Sequence, residues 1–368
     1  MQFVLFIGQH KVGSSSIQDY MARNYVRLVQ SGILYPMIDA EGQTMVLARQ
    51  IMGYDMDQSL PMNIREGHNA LAYRLLYETG KGIEMPEYHR GTPRSHQMFR
   101  TIKKQIEYLQ PEAVILAGEV FSQFGAVDPS LIRRMLDEFP DASFRVIATL
   151  RRPDAYLPSW HSQRLRYGEK IRPLNAGGAA DYFPTIHFDY RHMLQGWVEE
   201  LYDTEIVLRD YREVLAAGGS VEDFKEQSCL NFPANLETYR ETNPSLHRAL
   251  AEIGRLAFHE LDQIEAFSVL EFLTELGPQL DLPYSAQIEM FGTEVRRQMF
   301  DAFQEPHRYI SDLCDRDQFF EDIDEMLVTL PVPQSEASRA AKAQIQRHAN
   351  NVHAPLARDW LKAHCNGA

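Results

Sequence analysis

The chain has few cysteines and no long apolar run near its start. Its three cysteines, Cys229, Cys314 and Cys365, are widely separated, so we expect neither a disulfide framework nor a cysteine-based metal motif. Few, unpaired cysteines fit a reducing compartment, and we expect a cytoplasmic protein. The apolar run from Phe3 to Ile7 is too short for a signal-peptide core or a membrane span. We therefore expect no transmembrane segment, and at most a peripheral association with the inner face of the membrane.

Positive charge is also scarce. Lys and Arg number 37 against 51 Asp and Glu in 368 residues, which gives a net charge of −14. The negative electrostatic field of this charge opposes sequence-independent binding to nucleic acid, so nucleic acid is not an expected partner. Hydrophobic residues make up 44% and charged residues 24% of the chain. These are ordinary globular values, and they exclude intrinsic disorder and collagen-like repeats.

Short apolar runs alternate with helical patterns through the first two thirds of the chain. The runs that predict strands are Gln2 to Ile7, Ala113 to Leu116, Phe144 to Leu150 and Glu205 to Leu208. Helical spacing follows the first run from Ser14 to about Gly32. Strands that alternate with helices predict a mainly parallel sheet covered on both faces. We expect one α/β domain over residues 1–330, with three layers and a helical C-terminal half.

Two segments depart from this pattern. Residues 37–95 are rich in Met, Gly, His and Arg and show no sustained period, so we expect an irregular insertion that could bind substrate. Residues 331–368 begin with Pro-Val-Pro and become polar. We expect a linker there, followed by a loosely attached terminal helix.

The segment from Gly8 to Ser16 carries the strongest chemical signal. It joins a predicted strand to a helix N-terminus, where backbone N–H groups and the helix dipole favour an anion. Lys11 lies in the turn, and Ser14, Ser15 and Ser16 add three hydroxyls. This combination suits a phosphate group. The alternative is an ordinary serine-capped helix with a lysine facing solvent.

The same segment differs from the phosphate loop of nucleoside triphosphatases. That loop needs its lysine directly after the second glycine, and here Ser14 follows Gly13 while Lys11 precedes it. No second acidic strand end with a role in binding magnesium is evident, and we expect no metal. A kinase or ATPase is therefore disfavoured, although a kinase-like phosphoryl transferase with a modified loop stays open.

A second candidate phosphate contact follows the run from Phe144 to Leu150. Arg151 ends that strand, Pro153 suits the first turn of a helix, and Ser159 comes further along the same helix. An arginine at a strand end and a serine on the next helix can hold one phosphate from two sides. The alternative is an exposed arginine with a serine on the helix surface.

Together these motifs resemble the sulfotransferase family that uses 3′-phosphoadenosine 5′-phosphosulfate, especially its bacterial, glycan-type members. The run from His10 to Ser15 resembles the family's first motif, and Arg151 and Ser159 have the spacing of its second. The resemblance implies a P-loop-like fold and binding of the sulfuryl donor by five residues of the first motif. These five are Lys11, Gly13, Ser14, Ser15 and Ser16. It also implies that Arg151 and Ser159 contact the 3′-phosphate.

The resemblance further implies catalytic roles for Lys11 and Glu119. Lys11 would neutralise the oxygen that leaves the sulfuryl group, and Glu119, in a stretch similar to that of glycan sulfotransferases, would be the base. The product nucleotide would be 3′-phosphoadenosine 5′-phosphate, and the acceptor a glycan or a lipid-linked group. The remaining candidates for the base are His10, His161 and His187; those for completing the 3′-phosphate pocket are Arg191, Arg209 and Arg212. The protein could be a monomer or a homodimer. A non-catalytic relative that only binds the nucleotide also stays open.

Overall fold

The structure is a computed structural model, and it describes residues 1–53, 62–201, 204–238 and 246–366. The chain forms two compact units. The first contains Met1–Arg151, Asp189–Glu241 and Pro306–Phe319, and the second contains Arg152–Phe188, Thr242–Glu305 and Phe320–Ala368. Within the described residues, no helix is both long enough and apolar enough to cross a membrane.

The first unit is built on a parallel sheet. Its strands, within the described residues, are β1 (Gln2–Phe6), β2 (Ile33–Leu34), β3 (Ala113–Ala117), β4 (Ser143–Leu150) and β5 (Glu205–Asp210). Their order across the sheet is β2-β3-β1-β4-β5, and every neighbouring pair is parallel. A small parallel pair in the second unit joins β6 (Ile288–Glu289) to β7 (Val332–Pro333). The predicted α/β class with a parallel sheet is confirmed.

Helices make up most of the remaining chain. In chain order they are α1 (Ser14–Arg23), α2 (Tyr25–Gln30), α3 (Ala40–Met52), α4 (Met62–Arg65), α5 (Gly67–Glu78), α6 (Ser95–Leu109), α7 (Phe124–Val127), α8 (Ser130–Asp137), α9 (Pro153–Arg166), α10 (Tyr190–Glu200), α11 (Tyr211–Ala216), α12 (Ser220–Gln227), α13 (Arg248–Glu260), α14 (Gln263–Leu276), α15 (Thr293–Leu313), α16 (Gln334–His348) and α17 (Pro355–Cys365). The described part of the C-terminal half is mainly helical, as the sequence predicts.

Burial explains why the central strands have uninterrupted apolar sequences. Every residue of β3 is buried, and so are four of the five residues of β1. A strand that is buried on both faces cannot alternate polar and apolar residues, so it reads as one continuous apolar run.

The strand order also sets where a ligand can bind. The chain runs from β1 to the β3 side of the sheet and later returns to place β4 on the other side of β1. The carboxyl end of β1 is therefore a point at which the direction of winding reverses. In open α/β sheets, ligands bind outside the carboxyl ends of the strands at such a point.

The segment 37–95 differs from the irregular insertion that we expected. It contains α3, α4 and α5, and it ends where α6 begins. Asp39 caps α3 by accepting a 2.7 Å hydrogen bond from the Gly42 amide, and α5 buries Leu71, Leu75 and Leu76 along one stripe. The helices are short, so no period is sustained across the whole segment. Residues 54–61 of the expected insertion lie outside the described residues.

The C-terminal segment also differs from the expected linker and loose helix. It begins with β7 and continues into α16 and α17, which pack on α13 and α14 within the second unit. The Ser338 hydroxyl donates to the Ala249 carbonyl at 2.8 Å, and Ala341 and Leu361 are fully buried. Apolar residues at helical spacing, rather than the polar composition, determine this packing.

A buried ionic network lies within the second unit. Arg296 is only 2% exposed, and its guanidinium pairs with Glu289 at 2.8 Å and with Asp154 at 3.3 Å. Arg152 pairs with the other oxygen of Asp154 at 2.7 Å and with Asp322 at 2.9 Å. A buried charge is tolerated when it is paired in this way. Arg152 is therefore a structural residue of the second unit.

Candidate functional site

The end of β1 and the turn that follows it are hydrogen-bonded to the two neighbouring strand ends. The Gln9 amide donates to the Thr149 carbonyl at 3.0 Å, beside the end of β4. On the other side, the Gly118 amide donates to the Phe6 carbonyl at 3.0 Å, at the end of β3. The turn that follows β1 is thus placed between the ends of β3 and β4.

The backbone of this turn is unusual at two residues. Lys11 and Gly13 have φ angles of 61° and 92°, both in the left-handed region that ordinary residues avoid. Gly13 is also packed tightly, because a Cβ placed on it would lie 1.8 Å from the Ser220 Oγ. That hydroxyl donates to the Val12 carbonyl at 2.8 Å. Only glycine combines this backbone conformation with this close approach.

Helix α1 begins directly after Gly13. No side chain caps its first turn, and the first N–H groups of any α-helix lack partners within the helix. Ser14 is buried, whereas Ser15, Ser16 and Lys11 are half-buried. The predicted serines, lysine and helix N-terminus therefore lie together at the carboxyl end of β1. This arrangement can hold an anion with backbone amides, hydroxyls and one ammonium group.

The second predicted turn lies next to the first. The Arg151 amide donates to the Gln9 Oε1 at 2.9 Å, and the Arg151 carbonyl accepts from the Tyr190 hydroxyl at 2.5 Å. The Arg151 guanidinium lies over the Tyr211 ring, 5.1 Å from its centroid. Because Gln9 is two residues before Lys11, the turns that carry Lys11 and Arg151 are neighbours along one edge of the sheet.

Ser159 lies in α9, in the second unit, and is half-buried. Arg151 belongs to the first unit. The joint action of Ser159 and Arg151 on one phosphate therefore stays a prediction.

Two of the three arginines considered for completing the 3′-phosphate pocket are paired with carboxylates. Arg191 pairs with Asp189 at 2.7 Å. Arg209 pairs with Asp223 at 2.8 Å and with Glu213 at 2.9 Å. Arg212 is exposed. The charges of Arg191 and Arg209 are thus directed at structural partners.

Glu119 follows β3 after one glycine and is only 8% exposed. Its carboxylate lies 3.5 Å from His10 Nδ1 and accepts from Gln18 Nε2 at 3.4 Å. Burial alone would raise the pKa of Glu119, but the hydrogen bond and charge of His10, with further hydrogen bonds, lower it to about 2. An ideal general base has a pKa near the working pH. Glu119 is therefore better suited to orient His10 than to accept a proton itself.

A second carboxyl group accompanies Glu119, and our sequence analysis missed it. Glu66 immediately precedes α5, and its side chain is 14% exposed. The Asn69 amide donates to Glu66 at 3.4 Å and also hydrogen-bonds Glu119. Burial and the charge of Glu119 raise the pKa of Glu66 to about 7, although Arg65 opposes this shift. We call Glu66 and Glu119 the carboxyl pair.

Several buried polar atoms around the carboxyl pair have no hydrogen-bond partner within the described residues. They are Gln18 Oε1, Tyr35 Oη and both ring nitrogens of His89. Burial, opposed by the charge of Glu119, lowers the pKa of His89 to about 4. An unpaired buried polar atom costs about 1–3 kcal/mol. Groups of this kind are rare in native proteins, and each needs a structural or functional reason.

The other two histidines considered as bases lie in the second unit and have structural partners there. His161 Nδ1 hydrogen-bonds the Tyr182 hydroxyl at 2.8 Å, and burial is the main reason that its pKa is lowered to about 3. His187 Nδ1 hydrogen-bonds the Tyr156 hydroxyl at 2.8 Å and its ring stacks on Trp160. Of the three histidines, His10 is the one that shares a unit with Lys11.

Comparisons with known proteins add little to this geometry. No protein-family model matches the chain, and no solved structure gives a significant match. An uncharacterized protein of Archaeoglobus fulgidus is 27% identical over 135 residues, which is 36% of each chain. The chain thus spans about a third of the length of that curated relative. This similarity assigns neither a family nor an activity.

Proposed function

We propose that the protein transfers a sulfuryl group from 3′-phosphoadenosine 5′-phosphosulfate to a hydroxyl or amine acceptor, on a carbohydrate or lipid-linked group. The proposal includes a three-layer, P-loop-like arrangement of the first unit. It rests chiefly on one observation: the Gln9 side chain joins the turn that carries Lys11 to the turn that carries Arg151. Two separate cationic turns beside one helix N-terminus suit a nucleotide with phosphates at two positions.

The residues present suit such a donor. The first turn of α1, which has no side-chain cap, would bind the 5′-phosphate together with Ser14, Ser15 and Ser16. Arg151 would bind the 3′-phosphate. Lys11 would donate to the oxygen on which negative charge develops, and a donor aimed at developing charge is usually the largest single contribution to such a transfer.

The acceptor must lose a proton as its oxygen or nitrogen bonds to sulfur. His10, which directly precedes Lys11 in the sequence, lies beside Glu119 at the end of β3. A carboxylate that holds one ring nitrogen of a histidine orients the ring and stabilises its protonated form. We therefore place His10 as the proton acceptor and Glu119 as its partner, which changes the base expected from the sequence.

Calorimetric titration is the direct test of the donor. The product nucleotide, 3′-phosphoadenosine 5′-phosphate, should bind in the micromolar range and more tightly than ADP or ATP. A preference for ATP with a requirement for magnesium would favour a phosphoryl transferase instead. Transfer of labelled sulfate to a panel of hydroxyl and amine acceptors then separates an enzyme from a protein that only binds the nucleotide.

Arg151→Ala should selectively weaken recognition of the 3′-phosphate. A hydrogen bond to a charged group contributes about 1.5–3 kcal/mol, so we expect roughly 10- to 100-fold weaker binding of 3′-phosphoadenosine 5′-phosphate. Binding of adenosine 5′-monophosphate, which lacks the 3′-phosphate, should change little. Arg212→Ala is the matched variant on an exposed arginine. If Arg212→Ala lost the preference for the 3′-phosphorylated nucleotide and Arg151→Ala kept it, the 3′-phosphate site would be assigned to Arg212 instead.

A further inference from the structure

Gln9 lies in the turn after β1 and is only 3% exposed. Its backbone amide donates to the Thr149 carbonyl at 3.0 Å, and its side-chain Oε1 accepts from the Arg151 amide at 2.9 Å. Both hydrogen bonds hold Gln9 against the end of β4. The side chain therefore has a defined position, between the turn that carries Lys11 and the turn that carries Arg151.

The hydrogen bond from Arg151 also determines the orientation of the Gln9 side-chain amide. A backbone N–H needs an acceptor, and in a glutamine amide the oxygen accepts while the nitrogen only donates. The flipped amide would place a donor against a donor, so the network selects the orientation with Oε1 toward Arg151. Nε2 is bonded to the same carbon as Oε1, and it therefore also lies beside the Arg151 turn.

Gln9 Nε2 is buried and has no hydrogen-bond partner among the residues that the structure describes. A buried donor that stays unpaired costs free energy, so it needs a structural or functional reason. Gln50, in the same unit, shows the ordinary arrangement. Its Nε2 donates to the Ala22 carbonyl at 2.8 Å, and its Oε1 accepts from the Val26 amide at 2.8 Å. Within the described part of the chain, Gln9 uses only its acceptor.

The groups around Gln9 favour an anion. Lys11 follows two residues later, and Gly13 leads into the first turn of α1, which no side chain caps. Lys11, Ser15 and Arg151 are half-buried, so they reach solvent and Gln9 lies deeper than they do. Backbone N–H groups, cationic side chains and a buried amide donor near one helix N-terminus together suit the oxygens of a phosphate or sulfate group.

We propose that Gln9 is a further binding residue of this site: its side-chain amide nitrogen donates a hydrogen bond to a phosphate or sulfate oxygen held between the Lys11 and Arg151 turns. The identification of that group as part of the sulfuryl donor rests on the proposed function. The contact of Gln9 with an oxyanion does not. Sequence spacing could not reveal this role, because Gln9 precedes the run from His10 to Ser15 that carries the first motif.

The two atoms of one amide then have two roles. The oxygen holds the Arg151 turn, and this contact keeps the nitrogen directed at the ligand without adding a charge. Hydrogen bonds in a chain polarise one another, so binding of the anion should also strengthen the link between Gln9 and Arg151. The side chains of Lys11 and Arg151 are long and only half-buried. Rotation of these side chains would admit the anion to Gln9 Nε2.

Selective ¹⁵N labelling of glutamine side chains tests the contact in the wild-type protein, with inorganic phosphate as the probe. The side-chain amide resonances of Gln9 are identified by their loss from Gln9→Met. They should shift as phosphate is added and should saturate together with binding measured by calorimetry. Those of Gln50 should stay in place, because both of its amide atoms already have partners. No shift at Gln9, or equal shifts at Gln9 and Gln50, would overturn the proposal.

Affinity is the second measurement. Gln9→Met keeps the length of the side chain but has no donor, so inorganic phosphate should bind it roughly 10- to 100-fold more weakly. Gln50→Met is the matched control and should bind phosphate as the wild type does. Gln9→Glu keeps an oxygen for the Arg151 amide and loses the N–H donor, so it should bind phosphate at least as weakly as Gln9→Met. If Gln9→Met does not fold, Gln9→Glu serves for the assignment and the comparison. Wild-type affinity in either folded Gln9 variant would contradict the role of Gln9.

The same titrations with 3′-phosphoadenosine 5′-phosphate separate this inference from the proposed function. If that nucleotide binds no more tightly than ADP or ATP, yet phosphate shifts the Gln9 amide resonances and binds Gln9→Met weakly, the proposed donor fails and the role of Gln9 stands. If the nucleotide is preferred and sulfate is transferred, yet the Gln9 resonances do not respond to either ligand, the role of Gln9 fails and sulfuryl transfer stands.

Discussion

Lys11→Ala should reduce turnover by roughly 100- to 1000-fold, because in the proposed transfer it removes a cationic donor from the point at which charge would develop, a contribution of ~3 to 4 kcal/mol. The side chain is half-buried in the turn after β1, so nearby solvent cannot replace it fully. The measurement is the initial rate of sulfate transfer at saturating donor and acceptor. The affinity for 3′-phosphoadenosine 5′-phosphate should decrease much less than the rate.

Two further variants test whether the loss of rate is specific to the ammonium group of Lys11. Lys11→Arg keeps the charge but changes the shape of the donor, so its rate should lie between wild type and Lys11→Ala. Lys104→Ala removes an exposed lysine of the same unit, paired with Glu107 at 2.6 Å, and should leave the rate unchanged. Near-normal turnover in Lys11→Ala would remove Lys11 from the reaction.

Gly13→Ala should destabilise the first unit and abolish nucleotide binding. The new Cβ would lie 1.8 Å from the Oγ and 2.5 Å from the Cβ of Ser220, and alanine is strained at a φ of 92°. Overpacking and backbone strain each cost about 1–3 kcal/mol, so we expect a loss of about 2–6 kcal/mol in the free energy of unfolding. Denaturant titration measures this loss, and calorimetry measures the binding.

A double variant separates the two causes. Ser220→Gly removes both clashing atoms and leaves the nearest remaining Ser220 atom, its Cα, 3.9 Å from the new Cβ. Gly13→Ala combined with Ser220→Gly should therefore recover the packing part of the loss and keep the part due to backbone strain. Ser220→Gly alone is the control. No recovery in the double variant would mean that close packing against Ser220 is not the reason for glycine at residue 13.

The strands that form the centre of the sheet were predictable from the sequence. β1, β3 and the last five residues of β4 are almost entirely buried, and burial on both faces gives a continuous apolar run that is easy to recognise. β2 is only two residues long, too short to show a period. The helices of segment 37–95 were missed for a related reason, since turns interrupt each apolar stripe before it becomes long.

The site was predictable only where it depends on residues close in sequence. Lys11, Gly13 and the serines share one turn, and local spacing identifies them. The carboxyl pair depends on α5 packing on the end of β3, which no sequence pattern specifies. Leu71, Leu75 and Leu76 could have indicated α5, and an acidic residue at its start is common. The contact of Glu66 with Asn69 and Glu119 required the three-dimensional structure.

The hydrogen bond from Ser220 to the Val12 carbonyl joins residues 208 positions apart, and this separation affects biosynthesis. The segment from Gln9 to Ser14 leaves the ribosome before α12, so it lacks the group that supports its conformation until α12 has also emerged. At about 5–20 residues per second, the interval is about 10–40 s. A contact this distant in sequence forms late in folding. A nascent chain that already contains β1, β3 and β4 therefore still lacks this support, and stabilisation by the proposed nucleotide would begin only after the fifth strand is made.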